Sequence, residues 1–240
     1  MLIKRAIVVG ATSGIGRQLA ITLAENGYKV GITGRRSQLL NEMQALYPDG
    51  VVISAFDVSD ISIVPQKLKK LADQLGDLDL LVLSSGTGKI NPTLNETIEQ
   101  QTNAVNVTGF TTVADWAFNF FEQQGFGHFA AITSVAAIRG SRQAPAYGAS
   151  KAYQVNYLEA LRQKAKNSKL PVYMTDIRPG FVDTPMAQAE NMFWVAPVEK
   201  AARQIFKAIK NKRDVVYITK RWRIVAFIFR MIPGVLYERM

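Results

Sequence analysis

Ala6-Ile7-Val8-Val9-Gly10-Ala11-Thr12-Ser13-Gly14-Ile15-Gly16-Arg17-Gln18-Leu19-Ala20 is the stretch on which the fold turns. Its β-branched apolar opening, without polar alternation, predicts a short strand buried on both faces. The strand stops at Gly10, and an amphipathic helix follows until Gly27 closes it. Glycines at 10, 14 and 16 let the backbone turn sharply and approach a ligand, while the helix N-terminus offers unpaired N–H groups and the positive end of its dipole. A glycine triplet alone is a plain strand-to-helix turn. Set between a buried strand and a helix, with Thr12, Ser13 and Ile15 on the loop, it points to a pyrophosphate and so to a dinucleotide.

Further along, a second strand at 30–33 ends in Gly34-Arg35-Arg36. A site selective for NAD usually places a carboxylate there, for the adenosine ribose hydroxyls. Here the position is cationic: Arg35 can fork onto a 2′-phosphate and Arg36 adds charge, which favours NADPH over NADH. The competing reading is a solvated charge pair ahead of a helix at 37–46. A third strand at 51–56 delivers Asp57-Val58, with Asp57 as a partner for the adenine amino group. After a helix at 63–75 and a strand at 78–83 come Ser84-Ser85-Gly86-Thr87-Gly88, small enough for a cofactor to pass close to the backbone. The long helical region at 97–121 carries Asn103 and Asn106. An asparagine in a packed helix is costly without partners, so Asn106 is read as organising hydrogen bonds or water, or as part of a structural network.

A fifth strand at 128–133 leads to Ser134, whose hydroxyl is free to hold a substrate oxygen, and then to Pro145-Ala146-Tyr147-Gly148-Ala149-Ser150-Lys151. On a helix at 147–166, Tyr147 and Lys151 emerge on one face. A cation beside a phenol favours phenolate and is expected to lower the tyrosine pKa from about 10 towards neutrality, where it can exchange a proton during turnover. By spacing alone such a pair is ordinary helix surface. A sixth strand at 172–177 opens into Arg178-Pro179-Gly180-Phe181-Val182-Asp183-Thr184, where Thr184 can hydrogen-bond a carboxamide or phosphate. Met186, Met192, Phe193 and Trp194 either line an apolar substrate lid or pack inside. A helix at 198–210 and a seventh strand at 215–219 follow.

Composition narrows the chemistry. The 240 residues suit one α/β domain, with 48% hydrophobic and 20% charged side chains and no repeat period. Without cysteine there is no disulfide or thiolate metal site, and the single His128 builds neither a histidine metal cluster nor a Ser-His-Asp triad. His128 falls at a strand entrance and is assigned no role. The N-terminus runs from Met1-Leu2-Ile3-Lys4-Arg5 straight into a strand with no signal-peptide pattern, so a cytoplasmic protein is expected. The net charge of +10 is uneven: residues 1–199 hold 18 basic and 17 acidic side chains, residues 200–240 hold 11 and 2. Within that tail, Lys220-Arg221-Trp222-Arg223-Ile224-Val225-Ala226-Phe227-Ile228-Phe229-Arg230 is too short an apolar run to span a bilayer. Its character suits peripheral contact with an anionic membrane, an oligomer contact, or a lid over the substrate pocket.

In order along residues 3–219, Gly10-x-x-x-Gly14-x-Gly16, Asp57, Asn106, Ser134, Tyr147-x-x-x-Lys151 and Pro179-Gly180 with Thr184 resemble the short-chain dehydrogenase/reductase family. Each piece is common; their joint order is specific. The resemblance implies an α/β fold, a Rossmann-type doubly wound parallel sheet of seven strands, as a single domain at 1–219 with 220–240 as a basic amphipathic tail on it. It implies Asn106, Ser134, Tyr147 and Lys151 as the catalytic tetrad. The cofactor wall would comprise Gly10, Thr12, Ser13, Gly14, Ile15, Gly16, Arg35, Arg36, Asp57, Val58, Ser85, Gly86, Tyr147, Lys151, Pro179, Gly180, Val182 and Thr184. It also implies hydride transfer between nicotinamide C4 and a carbonyl or alcohol carbon. Tyr147 would protonate the oxygen, Ser134 hold it, Lys151 lower the tyrosine pKa and bind the nicotinamide ribose, and Asn106 support a water. NADP(H) is expected over NAD(H), the substrate apolar or lipid-like, and the assembly a homodimer or homotetramer. Two positions depart from the family pattern: Ser84-Ser85-Gly86-Thr87 stands for Asn-Asn-Ala-Gly, and Val9 for a threonine.

A catalytically idle NADPH-binding redox sensor acting through a partner is the alternative, and a retained Ser134, Tyr147 and Lys151 argue against it. Nucleic-acid binding is not expected, since the first 199 residues carry no basic stripe interleaved with aromatics.

Overall fold

The computed structural model describes residues 4–187 and 192–239. Its strands are β1 (Arg5–Val9), β2 (Lys29–Gly34), β3 (Val51–Ala55), β4 (Leu80–Leu83), β5 (Gly127–Ile132), β6 (Val172–Pro179) and β7 (Val215–Ile218). They form one parallel seven-stranded sheet in the order β3-β2-β1-β4-β5-β6-β7. The helices are α1 (Gly14–Glu25), α2 (Ser37–Leu46), α3 (Val64–Leu75), α4 (Glu96–Asn103), α5 (Phe110–Gln124), α6 (Pro145–Ser168), α7 (Val198–Lys210), α8 (Trp222–Met231) and α9 (Gly234–Tyr237).

β1 shows why the sheet is covered on both sides. Ile7 and Val9 point into one core with Leu68 and Leu71 of α3, Val113 and Phe121 of α5, and Leu158 of α6. Ala6 and Val8 point into a second core with Leu19 and Leu23 of α1, Met43 of α2, and Ala202 and Ile205 of α7. A strand with no solvent face has no reason to alternate, hence its continuous apolar run. At the carboxyl end β1 lies between β2 and β4, with Val9 in register with Thr33 and Leu83. The chain reverses its direction of travel across the sheet there, and such a switch point opens a crevice for a ligand.

The helical region expected at 97–121 is interrupted. Ala104–Gly109 forms a π-helical turn between α4 and α5. Gly109 packs so closely that a Cβ there would lie 2.6 Å from the Val58 carbonyl oxygen, and the π-turn sets Asn106 against Thr87, beyond the carboxyl end of β4. α6 also starts earlier than expected, with Pro145 in its first turn, where a missing N–H costs nothing.

Candidate active site

The loop after β1 is shaped by what a side chain would hit. Gly10 and Gly14 have φ of +90° and +55°. A Cβ on Gly10 would sit 2.5 Å from Ser85 N, and one on Gly16 would sit 2.1 Å from the Gly10 carbonyl oxygen. The loop is therefore stitched to its neighbours by backbone. Gly10 N and Ala11 N donate to Thr33 O at 3.1 and 2.8 Å, and Ser84 N and Ser85 N donate to Val9 O at 2.8 and 2.9 Å. Val9 needs no hydroxyl for this bracing, since its carbonyl does the work. Ser13 precedes α1 in extended conformation and does not cap it with its side chain, and no acidic residue occupies the first turn. That leaves a helix N-terminus suited to an anion.

Charge gathers where β2 ends. Arg36 donates to Thr12 Oγ1 (2.6 and 3.2 Å) and to Ser13 Oγ (2.9 Å), so its guanidinium is tied to the glycine loop. Arg35 lies 3.4 Å from Asp57 Oδ2, in an exposed pair. Asp57 Oδ1 accepts from Ser59 N at 2.9 Å and Ser59 Oγ at 2.8 Å. Partial burial opposes ionisation of Asp57, but the Ser59 hydrogen bonds, then Arg35, outweigh it and hold the carboxyl below its ordinary range. The carboxylate expected to meet an adenine is thus already half-committed to fixing its own turn and Arg35.

The catalytic candidates converge at the opposite end of the crevice. Asn106 is fully buried: its Oδ1 accepts from Thr87 N (2.9 Å), and its Nδ2 donates to Thr87 O (2.7 Å) and Ser150 Oγ (3.0 Å). This two-point grip on Thr87 braces the segment in which Ser84-Ser85-Gly86-Thr87 departs from the family pattern. Lys151 Nζ, also buried, donates to Ile132 O (3.0 Å) and Gln154 Oε1 (2.9 Å). Gln154 in turn donates to Asn106 O at 2.8 Å, closing a chain from ammonium to π-turn. A Cβ on Gly86 would meet both Asn106 Oδ1 and Lys151 Nζ at 3.4 Å, and one on Gly88 would lie 2.4 Å from the Tyr147 ring. Ser134 closes the strand end in extended conformation, and its Oγ accepts from Ala136 N at 3.0 Å.

One expectation needs correcting. Burial raises the Tyr147 pKa above its ordinary value, and only the neighbouring Ser134 hydroxyl works the other way. Lys151 does not depress it here, because the ammonium is bound to Ile132 and Gln154 and stands 5.8 Å from the ring centroid. Burial instead brings Lys151 itself down to about 8, with Asp176 opposing that fall. At neutral pH the side chains therefore rest as a phenol and a mostly charged ammonium.

β6 supplies the far wall. Gly180 N donates to Ile218 O at 2.7 Å, and a Cβ on Gly180 would overlap the Trp222 ring. Val182 turns its side chain into the second core. Thr184 reaches back so that its methyl would lie 3.1 Å from a Cβ on Gly14, bringing this turn over the glycine loop. Phe193 and Trp194 remain 49% and 42% exposed and pack around Trp222, Phe193 tilted over its ring and Trp194 edge-on, as a rim and not as core, and Met186 is exposed as well. Residues 188–191 of the expected lid lie outside the described residues.

A parallel α/β sheet with a glycine cradle at its switch point, and beside it a half-buried tyrosine with a buried lysine and serine, defines a nucleotide-dependent enzyme class. A family model described as short chain dehydrogenase matches residues 4–193, and the chain belongs to that family of oxidoreductases. An uncharacterized oxidoreductase of Staphylococcus epidermidis is 32% identical over 188 residues, covering 77% of this chain and 80% of that protein. One from Myxococcus xanthus is 31% identical over 199 residues, covering 80% and 77%. Among solved structures, an alcohol dehydrogenase from the archaeon Thermococcus sibiricus, complexed with 5-hydroxy-NADP, has a TM-score of 0.78 at 22% identity, covering 90% of this chain and 96% of its own. ElxO with NADP bound has the same TM-score at 18% identity, covering 90% and 97%.

Reading the sequence alone missed Gln154, Thr133, Asp176 and Arg178. Thr133 donates to Asp176 Oδ1 (2.6 Å), Arg178 holds Asp176 Oδ2 through two nitrogens (2.7 and 2.6 Å), and Arg178 also reaches the Tyr217 hydroxyl (3.1 Å). Asp176 and Arg178 alternate onto one face of an apolar strand, and two opposite charges at that spacing were the available signal. Gln154 was visible as the residue three beyond Lys151 and seven beyond Tyr147, on the same helix face.

Proposed function

We propose that this protein is an NADPH-dependent carbonyl reductase, running in reverse as an alcohol dehydrogenase, with an apolar substrate. The observation that carries the reading is the convergence of Ser134, Tyr147 and Lys151 beside a backbone cradle in which Gly10 and Gly16 leave no room for a Cβ. Gly10, Gly14, Gly16, Ser85 and Gly86 would hold the dinucleotide along the backbone. Thr12, Ser13, Arg35 and Arg36 would take the 2′-phosphate, and Pro179, Gly180, Val182 and Thr184 the carboxamide end. The residues fit such a group, because the cradle is empty of side chains and its adenosine end is cationic. When bound, the reduced nicotinamide supplies the hydride that reduces the carbonyl carbon.

The chain's own part is orientation and proton management. Ser134 donates a hydrogen bond to the carbonyl oxygen and fixes its place. Tyr147, kept protonated by burial, gives its proton to that oxygen as negative charge develops. Lys151 would hold the nicotinamide ribose with its ammonium, which Gln154 and Ile132 O keep in place. Asn106 is a positioning residue that fixes Thr87, Ser150 and Gln154. NADP-containing neighbours of the same fold are consistent with the cofactor assignment. We further propose a cytoplasmic homodimer or homotetramer. The stacked pairs Trp116–Phe120 and Tyr153–Tyr157 on α5 and α6 offer an aromatic surface for assembly, which sedimentation velocity will size.

The test is cofactor oxidation at saturating NADPH, and separately NADH, against a panel of straight-chain and aromatic aldehydes and ketones. Turnover with NADPH that exceeds turnover with NADH is expected. Binding of NADPH with no carbonyl reduced would overturn the reading in favour of a redox sensor.

A further inference from the structure

α8 is apolar on two opposite faces. Trp222 and Ala226 face inward, with Trp222 packed over Gly180 and against Phe181 (ring centroids 5.3 Å apart). On the helix's other side Ile224, Phe227, Ile228 and Met231 are 60%, 64%, 51% and 67% exposed. At 100° per residue these four fall within one sector opposite Trp222, while Arg223 and Arg230 lie together on its flank. A helix covering a water-soluble surface turns its polar side outward, and this one turns its most apolar side outward. α9 extends the patch with Val235 and Leu236, both more than half exposed.

The charge around the patch identifies what fits it. Residues 220–240 hold five basic side chains, Lys220, Arg221, Arg223, Arg230 and Arg239, against the single acidic Glu238. A second copy of this chain would bring the same positive rim against itself, whereas an anionic lipid headgroup layer is complementary to it. No helix among the described residues is long and apolar enough to cross a membrane, and a short helix with this outward apolar face and basic flank suits an interfacial position.

Its mounting ties it to the catalytic end. Arg139 donates to Ile232 O at 3.2 Å and stacks 4.5 Å from the centre of the Tyr237 ring, whose hydroxyl donates to Gly140 O at 2.6 Å. Arg139 and Gly140 belong to the segment joining Ser134 to Tyr147, so α8 and α9 sit on the rim of the active site. The exposed Phe193 and Trp194 continue the same surface, with Arg221 stacked 5.1 Å over Trp194.

We infer that α8, α9 and the Phe193–Trp194 rim form an interfacial docking surface for an anionic bilayer, which sets the active-site mouth at the lipid boundary to receive amphiphilic carbonyl compounds dissolved there. The docking step stands alone; the substrate step rests on the reductase reading above.

Co-sedimentation of the full chain with vesicles of phosphatidylglycerol and phosphatidylcholine, and of phosphatidylcholine alone, tests the docking. Binding to the anionic vesicles is expected to weaken with salt and to be at least about tenfold tighter than to the neutral ones. The double variant Phe227→Glu with Ile228→Glu changes two exposed residues; it is expected to keep the wild-type melting temperature and lose binding at least about tenfold. Absence of sedimentation, equal binding to neutral vesicles, or unchanged binding by the variant would overturn the proposal. A dimer that this variant dissociates would overturn it in favour of a second copy.

A long-chain aldehyde carried in the vesicles, compared with a short water-soluble one, tests the substrate step. The variant should reduce the soluble aldehyde at the wild-type rate and the vesicle-borne one at least about fivefold more slowly, and equal rates on both would overturn it. If the wild type reduces neither aldehyde, it is the reductase reading that fails, and the sedimentation result still decides the docking.

Discussion

The two ends of the crevice are built on different principles. At the catalytic end, Asn106, Lys151 and Gln154 are almost fully buried, and their polar groups are joined in one hydrogen-bonded chain. At the adenosine end, Arg35 and Asp57 have side chains 65% and 35% exposed and meet at 3.4 Å in water. A buried, satisfied network fixes geometry at high cost to any member's loss, whereas an exposed charge pair contributes little to stability and is free to exchange its partner. On the reductase reading proposed above, the contrast would give proton chemistry to one end and nucleotide selection to the other.

The largest effect expected from breaking this division is at Tyr147. Tyr147→Phe removes the proton donor and keeps the ring against Gly88; turnover should fall roughly 10²–10⁴-fold with NADPH affinity nearly unchanged, as steady-state assays and fluorescence titration will show. Next comes Arg35→Ala, which should raise the KM for NADPH about 10- to 100-fold, leave NADH use nearly unchanged, and raise stability or lower it by less than about 1 kcal/mol.

Gln154→Leu sharpens the comparison from the buried side. Releasing Lys151 should lower kcat about tenfold with little change in KM and displace the alkaline limb of the pH profile. In the cofactor-free protein burial brings Lys151 to about 8, so its charge is present below that pH and lost above it.

The smallest effect on activity is expected at His128, far from the crevice. Burial, then Lys212, lowers its pKa to about 4, and its Nε2 meets Thr175 Oγ1 at 2.7 Å. Between about 6.5 and 4 the unfolded chain binds a proton that the folded chain refuses, so stability is present above 6.5 and falls as pH drops, by roughly 3 kcal/mol in the limit. His128→Gln should flatten that acid limb in thermal melts without altering kcat.

Much of this was legible in the sequence because it is local. A buried strand, a glycine turn and a helix announce themselves within Ala6 to Ala24, and Tyr147 and Lys151 share a helix face by spacing alone. The π-turn was not legible, since its cause is distant: Gly109 presses on Val58, and Asn106 holds Thr87. Contacts of that kind depend on where the sheet sets two remote segments. The Tyr147 expectation failed for a related reason, because spacing places Lys151 near the ring but does not show that Gln154 and Ile132 have claimed its ammonium. Likewise the packing of Trp222 on Gly180 joins positions 42 residues apart by number, and only the fold brings them together.

The most direct test determines kcat and the KM for NADPH on a single carbonyl substrate for wild type, Tyr147→Phe and Arg35→Ala in parallel. The losses should divide, with Tyr147→Phe lowering kcat and Arg35→Ala raising the KM. A Tyr147→Phe protein with wild-type kcat, or an Arg35→Ala protein that loses kcat while keeping its KM, would contradict the division of labour between the two ends.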